Sequence, residues 1–142
     1  MAKILIVDDD PDIRIAISTI LKSRSYDVIE ACNGEEALVK IKEDKPDLML
    51  LDLLMPKMDG FGVVKELQSS RWMEHHNMPI LVMSSVREEA SQRRYELETG
   101  HQLNADDYIE KPIEPFILLE RVEKLILKGG KDAAANQDPS DR

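Results

Sequence analysis

Cysteine is almost missing from this chain. Cys32 is the only one, which excludes an internal disulfide and a zinc site built on several cysteines. Long apolar runs are missing too, and none approaches the ~20 residues of a membrane span. The first residues, Met1-Ala2-Lys3-Ile4-Leu5-Ile6-Val7, reach Asp8 too early to hold the apolar stretch of a signal peptide. The expectation is a cytoplasmic protein. Positive charge is also in deficit, with 19 Lys plus Arg against 28 Asp plus Glu and a net charge of −9. Such a balance disfavours a phosphate backbone or an anionic membrane as partner, because each needs a cationic face. No nucleic acid and no membrane are therefore expected among the partners.

What is present suits one globular domain. The length of 142 residues is close to the modal domain size, with 42% hydrophobic and 33% charged residues. A chain of this size buries roughly two-thirds of its surface, enough for a core without metal or disulfide. Short apolar runs alternate with helical patterns. Residues 4–7 form a short apolar run, rich in β-branched residues and stopped by Asp8-Asp9-Asp10, after which Pro11 suits a first helical residue and Asp10 its N-cap. Ile13, Ile17, Ile20 and Leu21 make one helical stripe. Val28-Ile29 marks a weaker second strand, and Asn33-Gly34 opens a second helix. Residues 48–51 form a third run ending at Asp52, and a turn with Pro56 and Gly60 leads to a third helix. Residues 80–83 form a fourth run ending at Ser84-Ser85, followed by a charged helix over about 87–98. Tyr108-Ile109 begins the fifth, then come Lys111-Pro112 and a last helix with Leu118, Leu119, Val122, Leu125 and Ile126.

Continuous apolarity over so few residues fits strands covered on both faces. The alternation predicts a three-layer (βα)5 domain with a parallel, doubly wound sheet and right-handed crossovers. Ligands of such sheets bind beyond the carboxyl ends of the strands. The polar residues that end runs one, three, four and five should share that edge. The domain is expected over 1–128, with residues 129–142 as a disordered polar tail, since no apolar stripe follows Leu127.

Asp8, Asp9 and Asp52 each follow an apolar strand. A single acid there is explained by a helix cap or a solvated turn. Three converging on one edge repel one another unless a cation is present. Mg²⁺ suits a site of few carboxylates, water and phosphate. A carboxylate can also act as nucleophile toward a phosphoryl group, giving an aspartyl-phosphate. That chemistry needs the phosphoryl oxygens neutralised, one by metal, one by the Lys111 ammonium, one by the Ser84 hydroxyl.

Four segments carry a family resemblance: residues 4–9, residues 52–60 (Asp52-Leu53-Leu54-Met55-Pro56-Lys57-Met58-Asp59-Gly60), residues 79–85, and Asp107-Tyr108-Ile109-Glu110-Lys111-Pro112. In this order and at these separations the sequence resembles the receiver domain of two-component response regulators over residues 3–127. The resemblance implies a flavodoxin-like sheet of order 2-1-3-4-5 and the role of a phosphoacceptor. Asp52 would accept a phosphoryl group from a sensor histidine kinase or a histidine phosphotransfer protein. Asp9, Asp52 and the backbone carbonyl of Leu54 would ligate Mg²⁺, with Asp8 acting through water or orienting the site. Ser84 and Tyr108 match the switch residues, and Lys111 the basic partner of the phosphoryl group. Lys111-Pro112 matches the family's cis peptide. Leu54 and Val86 occupy positions that tune phosphoryl lifetime. Neither side chain can hydrogen-bond an attacking water, so slow self-dephosphorylation is expected.

Two departures stand out. The stretch between Ser84 and Tyr108 is about five residues longer than a minimal receiver's, which extends the fourth helix or its following loop, next to the face through which receivers contact partners. Ser85 stands where Ala is frequent in the family. Other conspicuous residues have plain readings. His75-His76 and His101 are expected in solvated loops, Trp72 as an anchor for its segment, and Met49, Met55, Met58 and Met83 in packing. The charges over 87–98 are expected on a wet helical face.

The reading is a phosphorylatable switch and not an enzyme. No helix-turn-helix or catalytic segment follows residue 127, so the expected readout is a downstream protein. A homodimer through the fourth helix, fifth strand and fifth helix is the other expected readout. Two alternatives compete: a metal-dependent phosphohydrolase, and a pseudo-receiver that binds partners without phosphorylation. The first usually needs Asp-x-Asp, and Leu54 stands two residues after Asp52. Against the second, every expected site residue is in place.

Overall fold

The computed structural model describes residues 1–137. Five strands and five α-helices alternate: β1 (Lys3–Val7), α1 (Pro11–Lys22), β2 (Asp27–Ala31), α2 (Gly34–Asp44), β3 (Leu48–Asp52), α3 (Gly60–Leu67), β4 (Ile80–Ser84), α4 (Val86–Thr99), β5 (Asp107–Glu110) and α5 (Pro115–Gln137). The strands form one parallel sheet in the order β2-β1-β3-β4-β5. Fold class and strand order thus agree with the expectation. No helix among the described residues is long and apolar enough to cross a membrane.

The continuous apolar runs have a simple cause, since each central strand is buried on both sides. Leu5, Val7, Met49, Leu51 and Val82 face α2 and α3 in one cluster with Ala37, Ile41, Val63 and Val64. Ile4, Ile6, Leu48, Leu50, Leu81 and Met83 face the other way, onto Ile17 and Leu21 of α1 and Leu118 and Val122 of α5. Burial of a Leu or Ile side chain stabilises by about 1.5–3 kcal/mol, so these two layers hold the sheet. The helix starts follow their caps. The carboxylate of Asp10 accepts from the Asp12 N–H, with Pro11 in the first turn, and Asn33 and Asp59 cap α2 and α3 in the same way.

Two expectations need correction. Residues 70–76 are not a solvated loop: Ser70–His75 form a 3-10 helix in which Trp72 and His75 are both buried. The backbone kinks at Trp72 (φ −111°, ψ 19°), the two rings lie 5.7 Å apart, and the indole N–H donates to Glu66 Oε2 at 3.2 Å. Trp72 is therefore the expected anchor, whereas His76 and His101 are exposed. The second correction is that the face of α4 is not wholly wet, because Glu88 is buried. Beyond Leu127, α5 continues to Gln137 through part of the stretch expected as a tail, and residues 138–142 lie outside the described residues.

Candidate functional site

The sheet register builds the site. Val7 pairs with Leu51, which places Asp8 beside Asp52 at the carboxyl ends of β1 and β3. Asp52 pairs with Met83, and Ser84 with Glu110, so Ser84 and Lys111 follow on the next two strands along the same edge. The loop after β3 folds back tightly beneath Asp52. The N–H of Gly60 donates to the Leu53 carbonyl at 2.9 Å, and a Cβ on Gly60 would stand 2.6 Å from the Asp52 carbonyl oxygen. Only glycine permits that approach.

Oxygen atoms of Asp8, Asp9 and Asp52 lie within 4.8 Å of one another. Asp9 is exposed, whereas Asp8 and Asp52 are buried. The Asp8 turn is fixed from three sides. Its Oδ1 accepts from the Asp10 N–H at 2.9 Å, its N–H donates to the Ala31 carbonyl, and Arg14 donates to its carbonyl at 2.6 Å. Its Oδ2 is buried and has no hydrogen bond among the described residues. Among the described residues the cation beside it is the Lys111 ammonium at 3.5 Å, which Asp52 shares, so the buried pair of carboxylates is left short of positive charge. The residues present therefore fit a hard divalent ion with oxygen ligands. Leu54 is half-buried and lines the mouth of this region with Asp9, Met55 and Arg87.

Lys111 supplies the positive charge. Its Nζ lies 3.1 Å from Asp52 Oδ1, 3.5 Å from Asp8 Oδ2 and 3.5 Å from Glu88 Oε1. Its N–H donates to the Ser84 carbonyl at 2.7 Å, and its peptide bond to Pro112 is cis. Burial, and next the neighbouring Asp8, push the Asp52 carboxyl from 3.8 up to about 7, with Lys111 offsetting part of the rise. Asp8 is raised as well, chiefly by burial. Burial pulls the Lys111 ammonium down, but Asp52, Asp8 and Glu88 together outweigh it and hold the group above its ordinary 10.5. Metal-free, the pocket carries more negative charge than one ammonium neutralises.

Tyr108 stands apart from the acids. It is half-buried on β5, and its hydroxyl accepts from Gln92 Nε2 of α4 at 3.2 Å. It shares a cleft with Ser84, Lys111 and Arg121. The structure thus gathers Asp8, Asp9, Asp52 and Lys111 directly, with Ser84 adjoining and Tyr108 one cleft away. The residue that sequence reasoning missed is Glu88. Its carboxylate accepts from both the N–H and the hydroxyl of Ser85 and reaches Lys111. The signal was available, since Ser85-x-x-Glu88 has the spacing of a capping box.

A doubly wound flavodoxin-like sheet with a cation-ready acidic pocket at its carboxyl edge defines a class of phosphate-handling domains. The comparisons narrow that class. A family model described as the response regulator receiver domain matches residues 4–123, and the chain belongs to that family. It is 40% identical to the alkaline phosphatase synthesis transcriptional regulatory protein PhoP of Bacillus subtilis, over 96% of this chain and 52% of that protein. It is 36% identical to response regulator RR06 of Streptococcus pneumoniae, over 87% of this chain and 52% of that protein. The chain thus spans about half the length of the curated relatives it matches. Among solved structures, Vibrio cholerae chemotaxis protein CheY4 superposes with a TM-score of 0.71 at 30% identity, covering 88% of this chain and 98% of that one.

Proposed function

We propose that this receiver domain, residues 1–128, is the phosphoacceptor of a two-component or phosphorelay system, with Asp52 as the modified residue. The observation that carries the reading is the Lys111 ammonium 3.1 Å from Asp52, beside an acidic trio within 4.8 Å. A phosphoryl group on a histidine of a kinase or phosphotransfer protein is the donor. An oxygen of Asp52 forms the new O–P bond as the donor's N–P bond breaks. Lys111 holds one phosphoryl oxygen and the Ser84 hydroxyl another. Asp9, Asp52 and the Leu54 carbonyl would hold Mg²⁺, with Asp8 orienting the site. When bound, that ion supplies positive charge against the phosphoryl oxygens.

Phosphorylation then biases a two-state surface, because Ser84 and Lys111 interact with the phosphoryl group better in one state. The surface comprises α4, β5 and α5, and it meets a downstream protein or a second copy. The domain is a cytoplasmic switch and turns over no external substrate. Its own acidity keeps it off nucleic acid, even though PhoP is named a transcriptional regulator.

Incubation with Mg²⁺ and acetyl phosphate tests this reading, wild type beside Asp52→Asn. The expected result is one phosphate per chain, labile to both acid and base, in wild type alone. Steady release of phosphate from a phosphate ester, or equal labelling of Asp52→Asn, would overturn it.

A further inference from the structure

Three carboxylates, those of Asp52, Asp8 and Glu88, share one ammonium. Asp8 and Asp52 also belong to the acidic trio that fits a cation. Glu88 lies outside that trio, and its ionic partner is Lys111. It is only 6% exposed, so losing that partner would leave a charge buried and uncompensated, which is strongly destabilising. The same carboxylate caps α4. One oxygen accepts from the Ser85 N–H at 3.1 Å and from the Ser85 hydroxyl, while the other lies 3.5 Å from Lys111 Nζ. One side chain therefore joins the first turn of α4 to the charge balance at Asp52.

We propose that Glu88 is a built-in counter-charge to the phosphoryl group, holding part of Lys111 while Asp52 is unmodified and uncapping α4 when phosphorylation displaces it. The inference rests on Asp52 being the phosphoacceptor. A phosphoryl group brings more negative charge than the carboxylate it replaces, and three acceptor oxygens. Lys111 turns to it, and a second anion at Glu88 is repelled. Glu88 cannot stay buried without its cation, so it moves out and withdraws its bonds from Ser85.

The rest of α4 is arranged to pass that change on. Gln92 and Glu96 follow Glu88 at intervals of four and share its face. Gln92 Nε2 donates to the Tyr108 hydroxyl at 3.2 Å and to Glu96 Oε2 at 3.3 Å, and Glu96 Oε2 accepts from the Leu103 N–H at 3.3 Å. One polar stripe thus links Lys111, Tyr108 and the loop before β5. Glu88 acts through Lys111, as a positioning residue.

The test titrates the full chain, in Mg²⁺, with beryllofluoride as a stable phosphoryl mimic, followed by amide resonances and hydrogen exchange. Glu88→Gln keeps a capping oxygen but removes the charge. It should lower the half-saturating concentration by about tenfold and leave the amides of residues 85–89 protected at saturation. Wild type should lose that protection on binding. Ser85→Ala, which retains the charge at 88, should bind within about twofold of wild type. Equal half-saturation of Glu88→Gln and wild type overturns the proposal, as does unchanged protection of 85–89 in saturated wild type. The second readout needs no variant to fold. A folded wild type that does not respond to beryllofluoride, or an Asp52→Asn variant that responds equally, instead removes the phosphoacceptor reading beneath it.

Discussion

The helices α3 and α4 follow successive strands, but they are held by different forces. Of the eight residues of α3, five are buried: Gly60, Phe61, Val63, Val64 and Leu67. Among the described side chains of the fourteen-residue α4, only Glu88 is buried. Among its described side chains, Tyr95 stacks 4.7 Å from Phe61, and Glu88, Gln92 and Glu96 make polar bonds to neighbouring residues. Apolar burial ignores charge, so of the two helices α3 is the less sensitive to charge added at Asp52. A helix held by ion pairs and hydrogen bonds around Lys111 and Tyr108 moves when one charge is added. Low-stability elements of this sort are the ones that switches use.

The contrast breaks most visibly under truncation. Leu67 of α3 is 6% exposed and Leu97 of α4 is 81% exposed. Leu67→Ala should destabilise by about 2–4 kcal/mol in urea unfolding, and Leu97→Ala by no more than about 0.5 kcal/mol. Comparable losses would show that α4 is packed as firmly as α3.

A smaller effect sharpens the role of charge at the pocket between them. With its carboxyl raised from 3.8 to about 7, Asp52 is more easily protonated in the fold than in the unfolded chain. The folded state then binds more protons between those values, so metal-free stability falls as pH rises from about 4 to 7. Asp8, raised in the same direction, adds to the slope. After allowance for solvent, the loss should be about 2 kcal/mol. Asp52→Asn should melt higher than wild type at pH 7 without Mg²⁺, and the two should converge at pH 4. A flat wild-type profile in chelator would show that the carboxylates are not in conflict.

The lifetime of the phosphoryl group offers a kinetic version of the same contrast. Leu54 lies in the loop leading to α3, on the apolar side, and cannot hydrogen-bond an attacking water. Leu54→Asn should shorten the half-life of phosphorylated protein several-fold, read by loss of radiolabel. An unchanged decay would remove the explanation.

How much of this was legible in the sequence follows from the same physics. Strands buried on both faces advertise themselves as unbroken apolar runs, which made residues 4–7, 48–51 and 80–83 readable along with the acids that end them. In a parallel sheet all five carboxyl ends share one edge, so strand ends alone sufficed to group Asp8, Asp9, Asp52, Ser84 and Lys111. The burial of His75 and Glu88 was not legible. Each sits in a polar segment and is buried by tertiary contacts, His75 against Trp72 and Glu88 against Lys111, and local pattern carries no trace of such partners. The stretch of α5 past Leu127 leaves no amphipathic stripe to read, and Gly129-Gly130 reads as a break.

The smallest expected effect is the one that best separates a polar tether from mere proximity. Gln92→Ala deletes the donor to the Tyr108 hydroxyl and one bond to Glu96, both partly buried. Tyr108→Phe deletes the acceptor alone. Each should cost about 0.5–1 kcal/mol, and the double variant less than their sum by about 0.5 kcal/mol if the two groups hold each other. Independent, additive losses would mean that α4 rests on Tyr108 without being tied to it. The tether also has a direction. Freed from Gln92, the Tyr108 ring can turn inward toward Ser84 more readily, so Gln92→Ala should saturate with beryllofluoride at lower concentration than wild type while being less stable. Removing packing support alone would lower stability without that gain, and only a bond that favours the unmodified state predicts opposite signs for the two measurements.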